Sequence, residues 1–197
     1  MKSTIAFFDF DGTITSKDSM IEFIVFTFGW FKFLFGLFVL LPSLIAYLLG
    51  LISNEKAKII FLSFFFKEIS SEKFIKLSKH FSLNGLDNII RKSAIQRIRW
   101  HIDLGHEVVV VSASLESWLK PWCKKNNIKL IATKMILNHN EKGNIFSLKN
   151  CYGKEKVKRI KNEYDLKKYD KIYAYGDSDG DKEMLEISTE KFYKYFY

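Results

Sequence analysis

Proline is nearly absent from this chain. Two prolines and ten glycines among 197 residues exclude collagen-like and proline-rich classes. Cysteine is as scarce. Cys123 and Cys151 are too few for a disulfide framework, show no metal-binding spacing, and are expected to be reduced thiols in a cytosolic setting. Acidic residues are in deficit, 22 against 31 Lys and Arg, and the net charge of +9 favours anionic partners. Nucleic acid is set aside among them, because zinc-finger spacing, an RNA-recognition signature and a dense arginine stripe are all missing. Phosphorylated metabolites and anionic lipid remain. A secretory signal is not expected, since Asp9 and Asp11 interrupt the first apolar run.

What the chain has is apolar bulk. Hydrophobic residues make up 48% and 19 residues are Phe, enough for a full core in one domain with a modest insertion. The greasiest stretch, Phe33–Ile52, carries no charge. As a single helix it would reach about 30 Å, the thickness of a hydrocarbon core. Pro42 interrupts it and could split it into two arms.

Elsewhere, short β-branched runs alternate with amphipathic ones. Thr4–Phe10, Glu107–Ser112, Ile128–Ala132 and Lys171–Tyr175 read as strands, with Phe192–Tyr197 as a last one. Met135–Leu148 holds a hairpin turn at Asn140-Glu141-Lys142-Gly143. Leu86–Leu104, Leu115–Asn126, Glu155–Tyr164 and Ser178–Ile187 read as helices. This alternation predicts an α/β fold with a doubly wound, Rossmann-like parallel sheet. Residues 1–15 and 84–197 form the sheet domain, and residues 16–83 are a helical insertion. In such sheets the chemistry collects at the carboxyl ends of the strands.

Asp9-Phe10-Asp11-Gly12-Thr13 closes the first strand. Residues two apart in an extended chain point the same way, so Asp9 and Asp11 can share a cavity while Phe10 turns to the core. Two carboxylates so close repel, and the pair asks for a cation or a shared proton. Alone, the pattern fits an Asp-rich loop or a calcium ligand set equally well. The second strand ends in Ser112-Ala113-Ser114 before a helix start. There a hydroxyl and free N–H groups can hold a phosphate, or a serine can simply cap the helix. Lys154, Lys156 and Lys158 stand at the next basic helix. One of them could reach a phosphate or a carboxylate, and a solvated basic face is the plain alternative. Behind Lys171–Tyr175 comes Gly176-Asp177-Ser178-Asp179-Gly180-Asp181. Three acids after a buried strand call for a cation, and oxygen ligands suit magnesium. A calcium loop is discounted, because a strand precedes the run and that loop's sixth-position glycine is missing.

Taken in order, DFDGT, a hydrophobic strand ending in Ser, a Lys and GDSDGD form a four-motif signature. It resembles the haloacid dehalogenase-like (HAD) superfamily over about Ile5–Leu185. VSASLESWLKPW, IATKMIL and NCYGKEKVKRI are similar to the phosphoserine phosphatase-like subclass IB. Within it, the chain resembles the branch of bacterial phosphatidylglycerophosphatase C, which also has a greasy cap. The resemblance implies a Mg2+-dependent phosphatase in which residues 16–83 are the helical cap. It makes Asp9 the nucleophile that forms an aspartyl-phosphate. Asp11 becomes the acid that protonates the leaving oxygen and then activates water. Magnesium is placed on Asp9, the Asp11 carbonyl and Asp177, with Asp181 holding a metal-bound water or orienting the lysine. Ser112 and Ala113 bind the phosphoryl oxygens. Lys156, with Lys154 as the fallback, supplies positive charge. Asp179 is an extra acid without an assigned role, and Cys151 is expected to pack.

Asp9 and Ser112 must meet on one side of any bilayer, so the chain between them crosses an even number of times or not at all. Phe33–Ile52 can be a hairpin dipping into one leaflet, with Lys17, Lys32, Lys56 and Lys58 near anionic headgroups. It can instead be the buried heart of a four-helix cap, or a dimer interface. Membrane contact is favoured, because a soluble helix needs only an apolar stripe. A membrane lipid phosphate such as phosphatidylglycerophosphate is then the expected substrate, met at the inner face of the cytoplasmic membrane. The alternatives are a cytoplasmic phosphatase for small metabolites such as phosphoserine, and a non-catalytic phosphate-binding or membrane-associated scaffold.

Overall fold

The computed structural model describes residues 3–140 and 143–197, so the turn expected at Glu141-Lys142 lies outside the described residues. The strands are β1 Ser3–Phe8, β2 Glu107–Leu115, β3 Lys129–Asn140, β4 Gly143–Lys149, β5 Tyr169–Gly176 and β6 Glu190–Tyr193. The described helices are α1 Ser19–Val39, α2 Leu41–Leu48, α3 Asn54–Phe66, α4 Ser71–Asn84, α5 Lys92–Asp103, α6 Glu116–Lys125, α7 Lys154–Glu163 and α8 Lys182–Glu186.

The strands form one sheet in the order β4-β3-β2-β1-β5-β6. β1 lies parallel between β2 and β5; β3 and β6 extend the parallel part, and β4 pairs antiparallel with β3. This is the α/β architecture expected, with an antiparallel edge added by the hairpin. Alternation along β1 buries both faces. Ala6 and Phe8 join one apolar cluster with Ile98 of α5 and Leu119 of α6. Ile5 and Phe7 join the other with Ile160 of α7 and Met184 of α8.

Helices α1–α4 form a separate stack between β1 and α5 in the chain. Phe23 of α1 stacks on Phe66 of α3 at 5.1 Å, meets Phe74 of α4 edge-on at 5.7 Å, and leans on Trp118 of α6 at 5.0 Å. Such aromatic pairs add about 0.5–1.5 kcal/mol each beyond the area they bury. They tie the helical stack to the sheet domain. The chain enters and leaves the stack through paired legs. Thr15 bridges Ile90, the Ser16 N–H donates to Ile89 O, and the Arg91 N–H donates to Ile14 O, both at 2.8 Å.

That pairing corrects one expected helix. Leu86–Leu104 is not continuous: Leu86–Ile89 is a 3-10 turn, Ile90 is extended to meet Thr15, and α5 starts at Lys92. The last strand is Glu190–Tyr193, shorter and earlier than expected. Phe33–Ile52 is split, as the proline allowed. α1 takes its first part and ends at Val39, and Pro42 sits at the start of α2, where its missing N–H costs nothing. By length and composition alone, α1 itself is long and apolar enough to cross a membrane, but Gly29 at φ +78° kinks it.

Candidate active site

The reactive groups follow directly on strand ends. Asp9 comes after β1, and its N–H donates to the Tyr175 carbonyl of β5 at 2.9 Å. Asp177 comes after β5, and Ser112 lies near the end of β2. At β1 the chain connections turn to opposite sides of the sheet, which opens a crevice at the carboxyl ends. Gly12 makes the turn out of β1 at φ +81°, and a Cβ there would lie 2.3 Å from Asp177 Oδ2. Only glycine satisfies both demands.

Lys156 is buried in the crevice. Its Nζ donates to Asp9 Oδ1 at 2.5 Å and to Asp181 Oδ1 at 2.6 Å. Burial opposes its charge, but the two carboxylates outweigh burial and hold its pKa above the ordinary lysine value. The other oxygen of Asp181 accepts from the Asp177 and Ser178 N–H groups at 3.1 Å and from the Ser178 hydroxyl at 3.0 Å. Burial favours protonating Asp181, yet Lys156 and the Ser178 donors keep its pKa below the usual carboxylate range. Asp9 goes the other way. Burial raises its pKa against the pull of Lys156, and repulsion from Asp181 and Asp11 adds to the rise.

Asp11 sits in a hydroxyl network. Its Oδ1 accepts from the Ser19 N–H at 2.8 Å, and its Oδ2 accepts from the Ser114 hydroxyl. Ser114 Oγ is 2.9 Å from Ser19 Oγ, which also accepts from Trp118 Nε1 at 3.1 Å. Burial and then Asp18 push the Asp11 carboxyl up to about 6, against the two serines. Ser112 is buried, and its Oγ accepts from the Ser114 N–H at 3.0 Å. Asp177 is fixed from two sides at 3.0 Å, by the Thr13 hydroxyl on Oδ1 and the Tyr197 phenol on Oδ2.

One carboxylate oxygen from each of Asp9, Asp177 and Asp181 lies within 4.8 Å of the others. Hard oxygen donors gathered from three acids fit a small divalent cation such as Mg2+, and a Cβ on Gly12 would overlap the Asp177 carboxylate among them. Such a cation also relieves the repulsion among the acids.

The structure therefore brings Asp9, Asp11, Ser112, Ala113, Lys156 and Asp181 to one cavity, with Asp177 beside it. Lys154 and Asp179 are exposed. Cys151 is buried, its N–H donates to Thr133 Oγ1 at 2.9 Å, and burial pushes its thiol pKa up. Lys58 corrects an expectation. It does not point toward headgroups but lines the cavity, donating to Ala113 O at 2.8 Å and Asn150 Oδ1 at 3.2 Å. Its one sequence signal is helical spacing: Ala57 and Phe61 of α3 line the same wall. Ser114, two residues after Ser112, turns out to be the direct partner of Asp11.

The cavity holds about 460 Å³. Its polar end is Asp9, Asp11, Ser112 and Lys156; its helical wall carries Phe33, Leu37, Leu44 and Phe61. The same helices leave Phe31 94%, Leu48 80% and Phe38 76% exposed.

The family described as haloacid dehalogenase-like hydrolase matches residues 6–186. Protein CicA of Caulobacter vibrioides is 32% identical over 195 residues, covering 96% of this chain and 85% of that protein. A solved protein from Bordetella pertussis Tohama I, described as of unknown function, superposes with a TM-score of 0.78 at 20% identity, over 96% of this chain and 88% of that one. A phosphoserine phosphatase, solved as a phospho-aspartyl intermediate analogue, superposes with a TM-score of 0.63 at 19% identity, over 97% and 86%. At these identities the two structural matches establish a shared fold.

Proposed function

The chain belongs to the haloacid dehalogenase-like hydrolase family, and from that premise we propose that it is a Mg2+-dependent phosphomonoester phosphatase acting through an aspartyl-phosphate on Asp9. The observation that carries this reading is the Lys156 ammonium held between Asp9 and Asp181, within the acid cluster of Asp9, Asp177 and Asp181. A nucleophilic carboxylate beside fixed positive charge is what phosphoryl transfer needs. The phosphoserine phosphatase of like fold was solved as a phospho-aspartyl intermediate analogue, which agrees with this chemistry.

Asp9 attacks phosphorus, the bond to the ester oxygen breaks, and the leaving oxygen takes a proton from Asp11. The phosphoryl group is then an acyl phosphate on Asp9. Asp11, now ionised, takes a proton from water as the water oxygen bonds to phosphorus. The bond to Asp9 breaks and inorganic phosphate leaves. An Asp11 pKa pushed up to about 6 suits a group that must hold a proton and then accept one. Ser112 and Ala113 bind the phosphoryl oxygens, Lys156 neutralises their charge, and Asp181 orients Lys156. Mg2+ would be held by the Asp9 carboxylate, the Asp11 main-chain carbonyl and Asp177, and would supply further charge neutralisation to the transferring group.

In this reading residues 16–83 act as the cap, and residues 1–15 and 84–197 as the catalytic domain of a phosphoserine phosphatase-like subclass IB enzyme. The substrate is a membrane lipid phosphate such as phosphatidylglycerophosphate, reached at the inner face of the cytoplasmic membrane. The apolar cap wall of the cavity and the exposed Phe31, Phe38 and Leu48 support it. A second reading, a soluble phosphatase for a small metabolite such as phosphoserine, draws on the polar Asn54 and Lys58 in the same wall. Magnesium-dependent phosphate release in detergent, from phosphatidylglycerophosphate and phosphoserine side by side, decides between them. Preference for the lipid is expected; preference for phosphoserine transfers the assignment to the second reading.

A further inference from the structure

A lysine ammonium carries three N–H donors. Lys58 spends two of them on neutral acceptors, the Ala113 carbonyl and Asn150 Oδ1. The ion pairs of the cavity belong to Lys156, which is bound to Asp9 and Asp181. Burial is the main influence on Lys58 and lowers its pKa; Asp11 and Asp18 pull it up, and Lys156 repels it.

Its surroundings are built rather than incidental. Asn150 is buried, its N–H donates to Glu55 Oε2 at 3.1 Å, and its Nδ2 donates to Asn54 Oδ1 at 2.6 Å. The Thr133 hydroxyl donates to Asn150 Oδ1 at 3.1 Å and to Ala113 O at 2.8 Å. Lys58 is thereby fixed beside Ala113, which follows Ser112 in the last residues of β2, the stretch assigned above to the phosphoryl oxygens. Farther along the wall stand Phe33, Leu37, Leu44 and Phe61. A neutral side chain could make the same two hydrogen bonds without the cost of desolvating a charge. An incoming anion offsets that cost through a charge-assisted hydrogen bond.

Resting on the phosphatase reading, we infer that Lys58 is a specificity-determining residue that binds a second anionic group, carried on the alcohol side of the phosphomonoester. A phosphodiester and a carboxylate share the chemistry it needs. The position of Lys58 between the end of β2 and the apolar wall puts that group between the scissile ester and any apolar tail.

Three probes test this: glycerol 3-phosphate, 3-phosphoglycerate, and glycerol 3-phosphate bearing a methyl phosphodiester on its far hydroxyl. The first has no second anion, the second adds a carboxylate and the third a phosphodiester. The wild-type protein is expected to prefer at least one of the anionic probes over glycerol 3-phosphate by about tenfold or more in kcat/KM. Whichever is preferred identifies the anion. Lys58→Met is expected to erase the preference and Lys58→Arg to keep most of it. A lysine that merely latches the cap would slow all three probes alike in Lys58→Met and leave their ratio untouched; that result overturns the inference, as does a wild-type protein without preference. Calorimetric binding of the same probes to Asp9→Asn, alone and combined with Lys58→Met, gives the same comparison without turnover. Loss of turnover with every probe and with p-nitrophenyl phosphate would count against the phosphatase reading, while a Lys58-dependent binding preference would still sustain the anion site.

Discussion

The two ends of the cavity follow opposite rules. At the sheet end the side chains are tightly held: Lys156 by two carboxylates, Asp181 by three further donors, Asp177 by Thr13 and Tyr197, and Asp11 by Ser19 and Ser114. At the helical end the wall is mostly apolar, with Asn54 and Lys58 among its polar exceptions, and the helices behind it leave Phe31, Phe38 and Leu48 in the open. Under the proposed function the difference separates two tasks. Charge chemistry needs groups fixed in advance in a dry site, whereas capture of an apolar molecule needs surface that is not already spent on packing.

Breaking the sheet end has the largest expected effect. Asp9→Asn removes the proposed nucleophile and is expected to lower magnesium-dependent release from p-nitrophenyl phosphate by about 10³-fold or more. Activity near the wild-type level would place the nucleophile elsewhere. Lys156→Met leaves Asp9 and Asp181 buried without their cationic partner, and should cost about 3–5 kcal/mol in urea unfolding, partly recovered by added Mg2+. An unchanged midpoint would mean that the ion pairs are not formed in solution. Gly12→Ala is expected to lose about 1–3 kcal/mol from backbone strain and to weaken Mg2+ binding in a thermal-shift titration, since its Cβ would collide with Asp177. Wild-type Mg2+ binding in that variant would remove Asp177 from the proposed ligand set.

The helical end should respond differently. Phe31→Ser, Phe38→Ser and Leu48→Ser together are expected to abolish flotation with anionic phospholipid vesicles, while turnover of p-nitrophenyl phosphate stays within about twofold. Loss of both activities would show that the two regions are not separable. Vesicle binding that survives would assign the exposed face to another partner.

The sheet end is also the more legible in sequence. Asp9, Asp11, Asp177 and Asp181 stand directly behind runs such as TIAFF and KIYAY, so a parallel sheet necessarily collects them at one edge. Ser112 is readable for the same reason. Composition does not separate Lys156 from Lys154, but the resemblance carried by GKEKV favours the second lysine; the structure buries Lys156 and exposes Lys154. The helical end is less legible. Lys58 looks like any lysine in a mixed helix until α3 is laid against Ala113 and Asn150, contacts 55 and 92 residues away. The break at Leu40 is signalled by Pro42, whereas the kink at Gly29 has no proline to mark it. The 3-10 turn at Leu86–Ile89 exists because Ile90 must pair with Thr15, a tertiary demand that overrides helical periodicity.

The most direct test of the central claim is an acid-quenched single turnover with Mg2+ and a radiolabelled phosphomonoester, followed by peptide mapping. Transient label is expected on the peptide that carries Asp9, and none in Asp9→Asn. Phosphate release with no protein label at any time, or the same label in Asp9→Asn, would contradict it.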